Sequence, residues 1–547
     1  STVEEIKALC ALPGLRAEGL YTHFAAADED VDYTELQGRR FQEARAVLEE
    51  AGIAPGDIAA VSTTCMREGI LLYDKDGSEI WACANVDARS TDQVGQLKEL
   101  DPALEKEVYL KSGQTYALGA LPRILWVRDN LPEVYEKTAA VGMFNDWLIY
   151  KLTGRLAVEP SNGSTTGIMD LQSRDWLPEI AAKCGLRTDI FPPVVECGTN
   201  FAQVSAKGAA DTGLLEGTPV VVGGGDCQLG ALGVGAYKAN QAAVFGGSFW
   251  QYEFNTDSAC ADPGCRVRVN CAALPGLWQY EALAFKPGLV MRWFRDGFCQ
   301  AEAEDARRTG RDAYDLMNEK AADIPAGCYG MQCCFSDTMN FIDWRHASPT
   351  FTNFLLEPER FNKYTFYRAI LENTALLVRG HIQLVKEATG HEPEELIFAG
   401  GAAKSPLWCQ ILADVTGKPV KVPVVKEATA LGAAILAGVG VALKLVQMLG
   451  ARRGFPHLWR SYTDFATLGT VADLMPMRDE NRALVADGLA RMNANPRPCI
   501  AALLATTGQA GKPMTATNLS FSLIPRLNAA GRMGNADLAL DLLMCDN

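Results

Sequence analysis

The chain holds 547 residues, 48% of them hydrophobic and 21% charged, enough to bury several cores; at ~150 residues per domain this predicts roughly three to four domains. A net charge of −15 argues against broad electrostatic attraction to nucleic acid or to an anionic membrane. The sixteen cysteines are dispersed, with no recurring C-x-x-C pair, which argues against a zinc site and predicts reduced thiols in a cytoplasmic protein.

In chain order, "EGLYTHFA" (18–25) reads as a strand. "YTELQGRRFQEARAVLEEAG" (33–52) returns apolar residues at three- and four-residue steps, the period of an amphipathic helix. "IAAVSTTC" (58–65) is a second strand, and "YDKDGSEI" (73–80) carries the Asp-Gly signal of a hairpin. Short apolar runs then alternate with helical patterns through "TPVVVGGGD", "QAAVFGGSFW" and "ELIFAGG". Such alternation predicts α/β architecture. The longest uncharged run, "ATALGAAILAGVGVAL" (428–443), is shorter than the ~20 residues that span a bilayer and predicts a buried helix. Beyond about residue 440 arginine, asparagine and proline become more frequent, which places a boundary there.

Three strands end in glycines. After "VVVGGG" comes Asp226. A P-loop would need G-x-x-x-x-G-K-[ST], and no such Lys follows. The glycines could instead let a substrate approach the backbone while Asp226 takes a proton from its hydroxyl. A structural turn with Asp226 capping the next helix explains the residues equally well. "AVFGGSFW" ends in Gly246, Gly247 and Ser248, whose amides and hydroxyl suit phosphate oxygens, or which form a hairpin turn. "FAGGAAKSP" offers Gly400 and Gly401 to a flat ligand, or is a tight strand–helix connection. Arg67 and Glu68 follow a strand and could grip a polyol from two sides, or be a solvated turn. The histidines show neither metal nor triad spacing.

From about Phe41 to Gly440 the chain resembles the FGGY carbohydrate kinases. The resemblance is carried by "NDWLIYKLTG", "EPSNGSTTGIMDL", "VVVGGGDCQLGALG", "FKPGLVMRWFRDGF", "YRAILENTALLVRGHI", "FAGGAAKSPLWCQILADVTGKPV" and "EATALGAAILAG". It implies two actin-like (ribonuclease H-like) lobes around a cleft, and transfer of a phosphoryl group from ATP, with Mg²⁺, to a small linear polyol or ketone. The branch it points to implies dihydroxypentanedione, the open form of a quorum-sensing signal. It further implies Asp226 as general base and Arg67, Glu68 and Gln228 as substrate contacts. Gly246, Gly247 and Ser248 would form a phosphate loop, and Gly400, Gly401 and Ser405 an adenosine loop. Many sugar kinases carry Gln after the base; Cys227 stands here, which fits a less hydroxylated acceptor.

The family's opening D-x-G-T-x-S motif does not precede "IAAVSTTC", which predicts a truncated first lobe and weak or no turnover; the alternative expectation is a fragment of a DNA exonuclease or a catalytically dead chimera. Residues 1–45 resemble a segment of PLP-dependent alanine racemase. Residues 441–547 resemble a single-strand DNA exonuclease of the DHH class, with Asp473 at a metal-ligand position and Arg526, Asn528 and Arg532 at nucleic-acid contacts; its other metal motifs are absent. The expected organisation is therefore a chimera: 1–45, a first kinase lobe over 46–235, a second over 236–440, and 441–547. Its kinase core is expected to bind a small molecule, without nucleic acid or membrane, in an oligomeric state left open.

Overall fold

A computed structural model describes residues 54–117, 119–335, 348–425, 427–438, 479–494, 496–507, 512–519 and 523–524. The segment 1–45, Asp473, Arg526, Asn528 and Arg532 lie outside the described residues. The chain divides into two compact units, the first reaching Gly438.

In the first unit, the β-branched run of β1 (Val61–Cys65) opens a pair of small sheets. The expected hairpin forms from β2 (Ile70–Tyr73) and β3 (Glu79–Cys83), which pair antiparallel. Its turn is held by Asp74 Oδ1, which accepts from the backbone N–H groups of Asp76 and Ser78, both at 2.9 Å. Gly77 takes the left-handed conformation there, φ +78°. β4 (Ala140–Met143) flanks β2 on the other side. A two-residue ladder, β5 (Met169–Asp170) with β6 (Asp175–Trp176), follows. β7 (Asn200–Gln203) and β8 (Pro219–Gly225) complete a sheet of order β1-β8-β7, in which β1 and β8 run parallel.

The second half of the unit is built on a six-stranded sheet of order β11-β12-β10-β9-β15-β16. β9 (Ala242–Gly246), β10 (Trp250–Thr256), β11 (Arg268–Cys271) and β12 (Trp278–Ala284) are antiparallel neighbours. A separate ladder joins β13 (Gln332–Cys334) to β14 (Thr350–Thr352). β15 (Leu396–Ala399) and β16 (Val420–Lys421) add parallel to β9. The 27-residue helix Lys363–Thr389 packs on this sheet. It buries Tyr367, Ile370, Leu371, Val378, Ile382 and Val385, a stripe at helical spacing. Its start is capped by Asn362, whose side chain accepts from the Tyr364 N–H.

The helix expected over 428–443 is described as far as 438. It is half-buried rather than buried: Ala433 and Leu436 face inward while Ala434 and Ile435 are exposed. Its glycine explains why. A Cβ on Gly432 would sit 2.0 Å from the carbonyl of Leu229, and one on Gly233 1.8 Å from that of Ala428. The uncharged face thus serves close backbone apposition to the helix Asp226–Gly233, and the opposite face is left to solvent.

The described part of the second unit contains helices Asp479–Ala494, Pro498–Thr506 and Ala516–Asn518 around a small core including Met492, Ile500, Leu503 and Leu519. Among the described residues no helix is long and apolar enough to cross a membrane.

Candidate active site

The site is set by the parallel pairing of β1 with β8. Their carboxyl ends coincide, Cys65 opposite Gly225, so Arg67, Glu68 and Asp226 emerge side by side. The crevice outside such strand ends is the usual ligand site of α/β folds.

The three glycines of β8 serve packing rather than a substrate floor. A Cβ on Gly223 would lie 1.6 Å from the carbonyl oxygen of Thr63, at a register shift between β1 and β8. A Cβ on Gly224 would meet Ser161 Oγ at 2.7 Å. One on Gly225 would meet Gln228 Oε1 at 2.6 Å and Arg67 Cγ at 2.9 Å. The space a Cβ would take at each is filled by the protein's own strand, a serine and the arginine of the site.

Asp226 is the first residue of the helix Asp226–Gly233, and Gly225 occupies the capping position. The capping reading of Asp226 is therefore not realised. Its side chain is 36% exposed, with Arg67 Nε at 3.5 Å from Oδ1. The Cys227 N–H donates to the same oxygen at 2.8 Å. The positive end of the helix favours a carboxylate there. Thr429 Oγ1 donates to the Asp226 carbonyl at 3.2 Å, which ties the helix at 428–438 to the site.

Arg67 and Glu68 are buried and already paired, unlike the open turn that their sequence suggests. Arg67 donates through Nη1 and Nη2 to the two carboxylate oxygens of Glu281, the Nη2 bond at 2.9 Å. Glu68 Oε1 accepts from Arg268 Nη2 at 2.8 Å. Arg268 also donates to Gln114 Oε1 and to Glu281, and Asn270 Nδ2 donates to Glu281 Oε2 at 3.0 Å. Glu68 has φ +66°, a strained conformation for a non-glycine residue. Arg123 Nη1 donates to its carbonyl at 2.6 Å and holds that turn. Burial alone would push the Glu281 carboxyl up, but the Arg67 and Arg268 guanidinium groups outweigh burial and hold it below the usual range.

Sequence reasoning missed Glu281, Arg268 and Glu253. A signal was available: every second residue is polar in "RVNC" and "WQYEFN" and over the first four residues of "WQYEALA". Their apolar partners, such as Val269, Tyr252, Phe254 and Tyr280, form the core of the second half. Alternation places Arg268, Glu253 and Glu281 together on the other face, against the residues that follow β1.

Gly246 and Gly400 bring the other two glycine loops together. β9 and β15 are adjacent and parallel, Phe245 opposite Ala399. Gly400 has φ +93°, and a Cβ there would stand 2.6 Å from the Gly246 carbonyl. Gly247 and Gly401 face open space, with no heavy atom within 3.5 Å of a Cβ at either position. The segment Gly246–Ser248 is also the turn between antiparallel β9 and β10, closed by the Gly247 N–H donating to Phe249 O at 3.0 Å. Hairpin and phosphate loop are thus compatible descriptions of it. Ser248 Oγ accepts from Arg292 Nη2 at 3.3 Å. Ser405 caps the helix Pro406–Thr416, accepting from the Trp408 N–H at 3.2 Å. That local task explains its presence without a ligand. Glycines with open space beside them at Gly247 and Gly401, backed by a fused pair of loops, leave room for a nucleotide's phosphates and flat base. No group of three His, Cys, Asp or Glu side chains among the described residues is arranged to hold a metal ion.

Two α/β lobes, a carboxylate at a strand's carboxyl end and paired glycine loops define a phosphotransferase of the two-domain sugar-kinase type. The chain belongs to the FGGY family of carbohydrate kinases. The family's N-terminal domain matches residues 26–233 and its C-terminal domain residues 253–441. The N-terminal match begins twenty residues before the boundary expected at 46. The chain is 51% identical over 400 residues to an autoinducer-2 kinase of Yersinia pestis (strain Pestoides F), covering 73% of this chain and 76% of that protein. The fold is similar to xylulose kinase from Rhodospirillum rubrum, with a TM-score of 0.65 and 25% identity over 74% of this chain and 80% of that one. Plasmodium falciparum glycerol kinase with ADP shares the fold at a TM-score of 0.62 and 19% identity, over 75% and 81% of the two chains.

Proposed function

We propose that the chain transfers the γ-phosphoryl group of ATP to a primary hydroxyl of a small linear hydroxyketone, with dihydroxypentanedione as its acceptor. The observation that carries this reading is Asp226, half-open at the carboxyl end of β8 and beside the Arg67 guanidinium. The likeness to autoinducer-2 kinase supports the choice of acceptor.

In this reading Asp226 accepts the proton of the attacking hydroxyl. The Arg67 guanidinium, at 3.5 Å, and the helix N-terminus both face that carboxylate. Gly246, Gly247 and Ser248 would hold phosphate oxygens, with Arg292 behind Ser248, and Gly400 and Gly401 would lie against the base. ATP would supply the phosphoryl group, and Mg²⁺ carried on its phosphates would neutralise their charge. Glu68 and Gln228 would contact the acceptor.

The test is ATP-dependent phosphorylation of dihydroxypentanedione by the full chain beside Asp226→Asn. Turnover by the parent that the variant lacks is the expected result. Equal activity in both would remove Asp226 from the mechanism, and the parent's rate measures the slowing expected from the missing D-x-G-T-x-S motif.

A further inference from the structure

Two buried side chains beside Asp226 leave every polar atom unused. Gln228 is 2% exposed and Glu253 1%. Gln228 Oε1 and Nε2 and both oxygens of Glu253 form no hydrogen bond among the described residues. Each buried polar atom without a partner costs about 1–3 kcal/mol. Four of them in one cluster call for a partner that the fold does not supply.

The cluster is defined by Arg67. Gln228 Oε1 lies 2.6 Å from the Cβ position of Gly225, which is itself 2.9 Å from Arg67 Cγ. The Arg67 guanidinium sits on Glu281, and Glu281 stands opposite Glu253 in the β10–β12 ladder. The two glutamates differ in their partners. Glu281 accepts from Arg67, Arg268 and Asn270, whereas Glu253 receives no donor. Burial, and then the charge of Glu281, favour the neutral acid at Glu253. A neutral acid offers one O–H donor and one acceptor, and the Gln228 amide offers both functions as well.

We propose that Glu253 and Gln228 form a recognition subsite for an uncharged acceptor that carries a carbonyl beside its hydroxyls. The acid O–H and the amide N–H donate to carbonyl oxygens, and the remaining oxygens accept from hydroxyls. A sugar acid is rejected: its carboxylate would join those of Asp226 and Glu281, while Arg67 and Arg268 are already committed to carboxylates. The subsite rests on the kinase reading and adds to it the side chains that hold the acceptor's carbonyl.

The test measures binding without ATP, by titration calorimetry on the full chain, of dihydroxypentanedione and of a pentitol that lacks the carbonyl. Phosphorylation of both is measured in parallel. Glu253→Met should weaken the ketone by about tenfold, the worth of one hydrogen bond to an otherwise unpaired group, with the pentitol changed far less. KM should rise with it while kcat stays within about twofold. Glu253→Gln, which keeps a donor and an acceptor at the same size, should bind the ketone nearly as the parent does. Equal binding of the ketone by parent and Glu253→Met, equal loss of both ligands, or no binding by the parent would each overturn the subsite. A parent that binds the ketone but phosphorylates neither acceptor would overturn the kinase reading and leave the subsite standing.

Discussion

Arg67 lays its guanidinium across both carboxylate oxygens of Glu281, a residue 214 positions later in the chain. The pair joins the turn after β1 to the sheet of the second lobe, and both side chains are at least 95% buried. Removing one member leaves the other charge without its partner in a place water does not reach. Arg67→Met should therefore cost about 3–5 kcal/mol of folding stability, whereas Arg67→Met with Glu281→Leu should recover much of it. Denaturant midpoints of the three proteins check this; a single variant that unfolds at the parent's midpoint would show that the pair does not hold the lobes.

Asp226→Asn separates chemistry from folding. The side chain is partly exposed and its ion pair with Arg67 is long, 3.5 Å, so the amide should change stability by no more than about 0.5 kcal/mol. Loss of the proton acceptor should lower kcat by about 10²–10⁴-fold, with the acceptor KM nearly unchanged. Steady-state kinetics beside a thermal unfolding curve read both quantities. A fall in KM-limited binding without a fall in kcat would assign Asp226 to substrate contact alone.

The elements that repeat a local rule were legible in the sequence. The β-branched "PVVV" of β8, the Asp-Gly turn of the β2–β3 hairpin and the Ser405 cap position all follow from neighbours a few residues away. The family resemblance singled out Asp226 and the glycine loops as candidates. What local pattern could not supply was the partner of each charge. Glu281 meets Arg67, and Arg268 meets Glu68, only because β11 and β12 cross the strand ends of the first lobe. What Gly223, Gly224 and Gly225 pack against was hidden for the same reason: Thr63, Ser161 and Arg67 stand where their Cβ atoms would be, and all three come from distant segments.

Gly400→Ala should act on the nucleotide and not on the acceptor. The residue adopts φ +93° and its Cβ would press on the Gly246 carbonyl at 2.6 Å. The two loops must then separate, moving the amides of Gly247 and Gly401. Misplacement of such groups by about 1 Å costs on the order of 10²-fold in catalysis. The expected outcome is a higher KM for ATP and a lower kcat/KM, with acceptor binding measured without ATP unchanged. An unchanged KM for ATP would place the nucleotide elsewhere.

The buried carboxyls give stability a pH dependence whose sign differs between neighbours. Glu253 and Asp146 are pushed well up, each by burial first and then by a nearby carboxylate, Glu281 and Glu159 respectively. Glu159 is raised as well, chiefly by burial. A raised group binds its proton more tightly folded than unfolded. Its contribution is complete below the ordinary carboxylate value of about 4.3 and is lost as pH climbs toward the folded value. Glu281 is held low, so its contribution is present above that value and is lost as pH falls through its lowered one. Stability should thus fall as rising pH ionises the three raised groups, and fall again in acid as Glu281 is protonated. Glu253→Gln removes one raised group and should make the alkaline decline shallower while leaving the acid limb in place. Urea midpoints between about pH 3 and pH 9 record both limbs. An alkaline slope identical in parent and variant would mean that Glu253 is ionised in the folded chain, and the donor assigned to it in the acceptor subsite would be lost with that result.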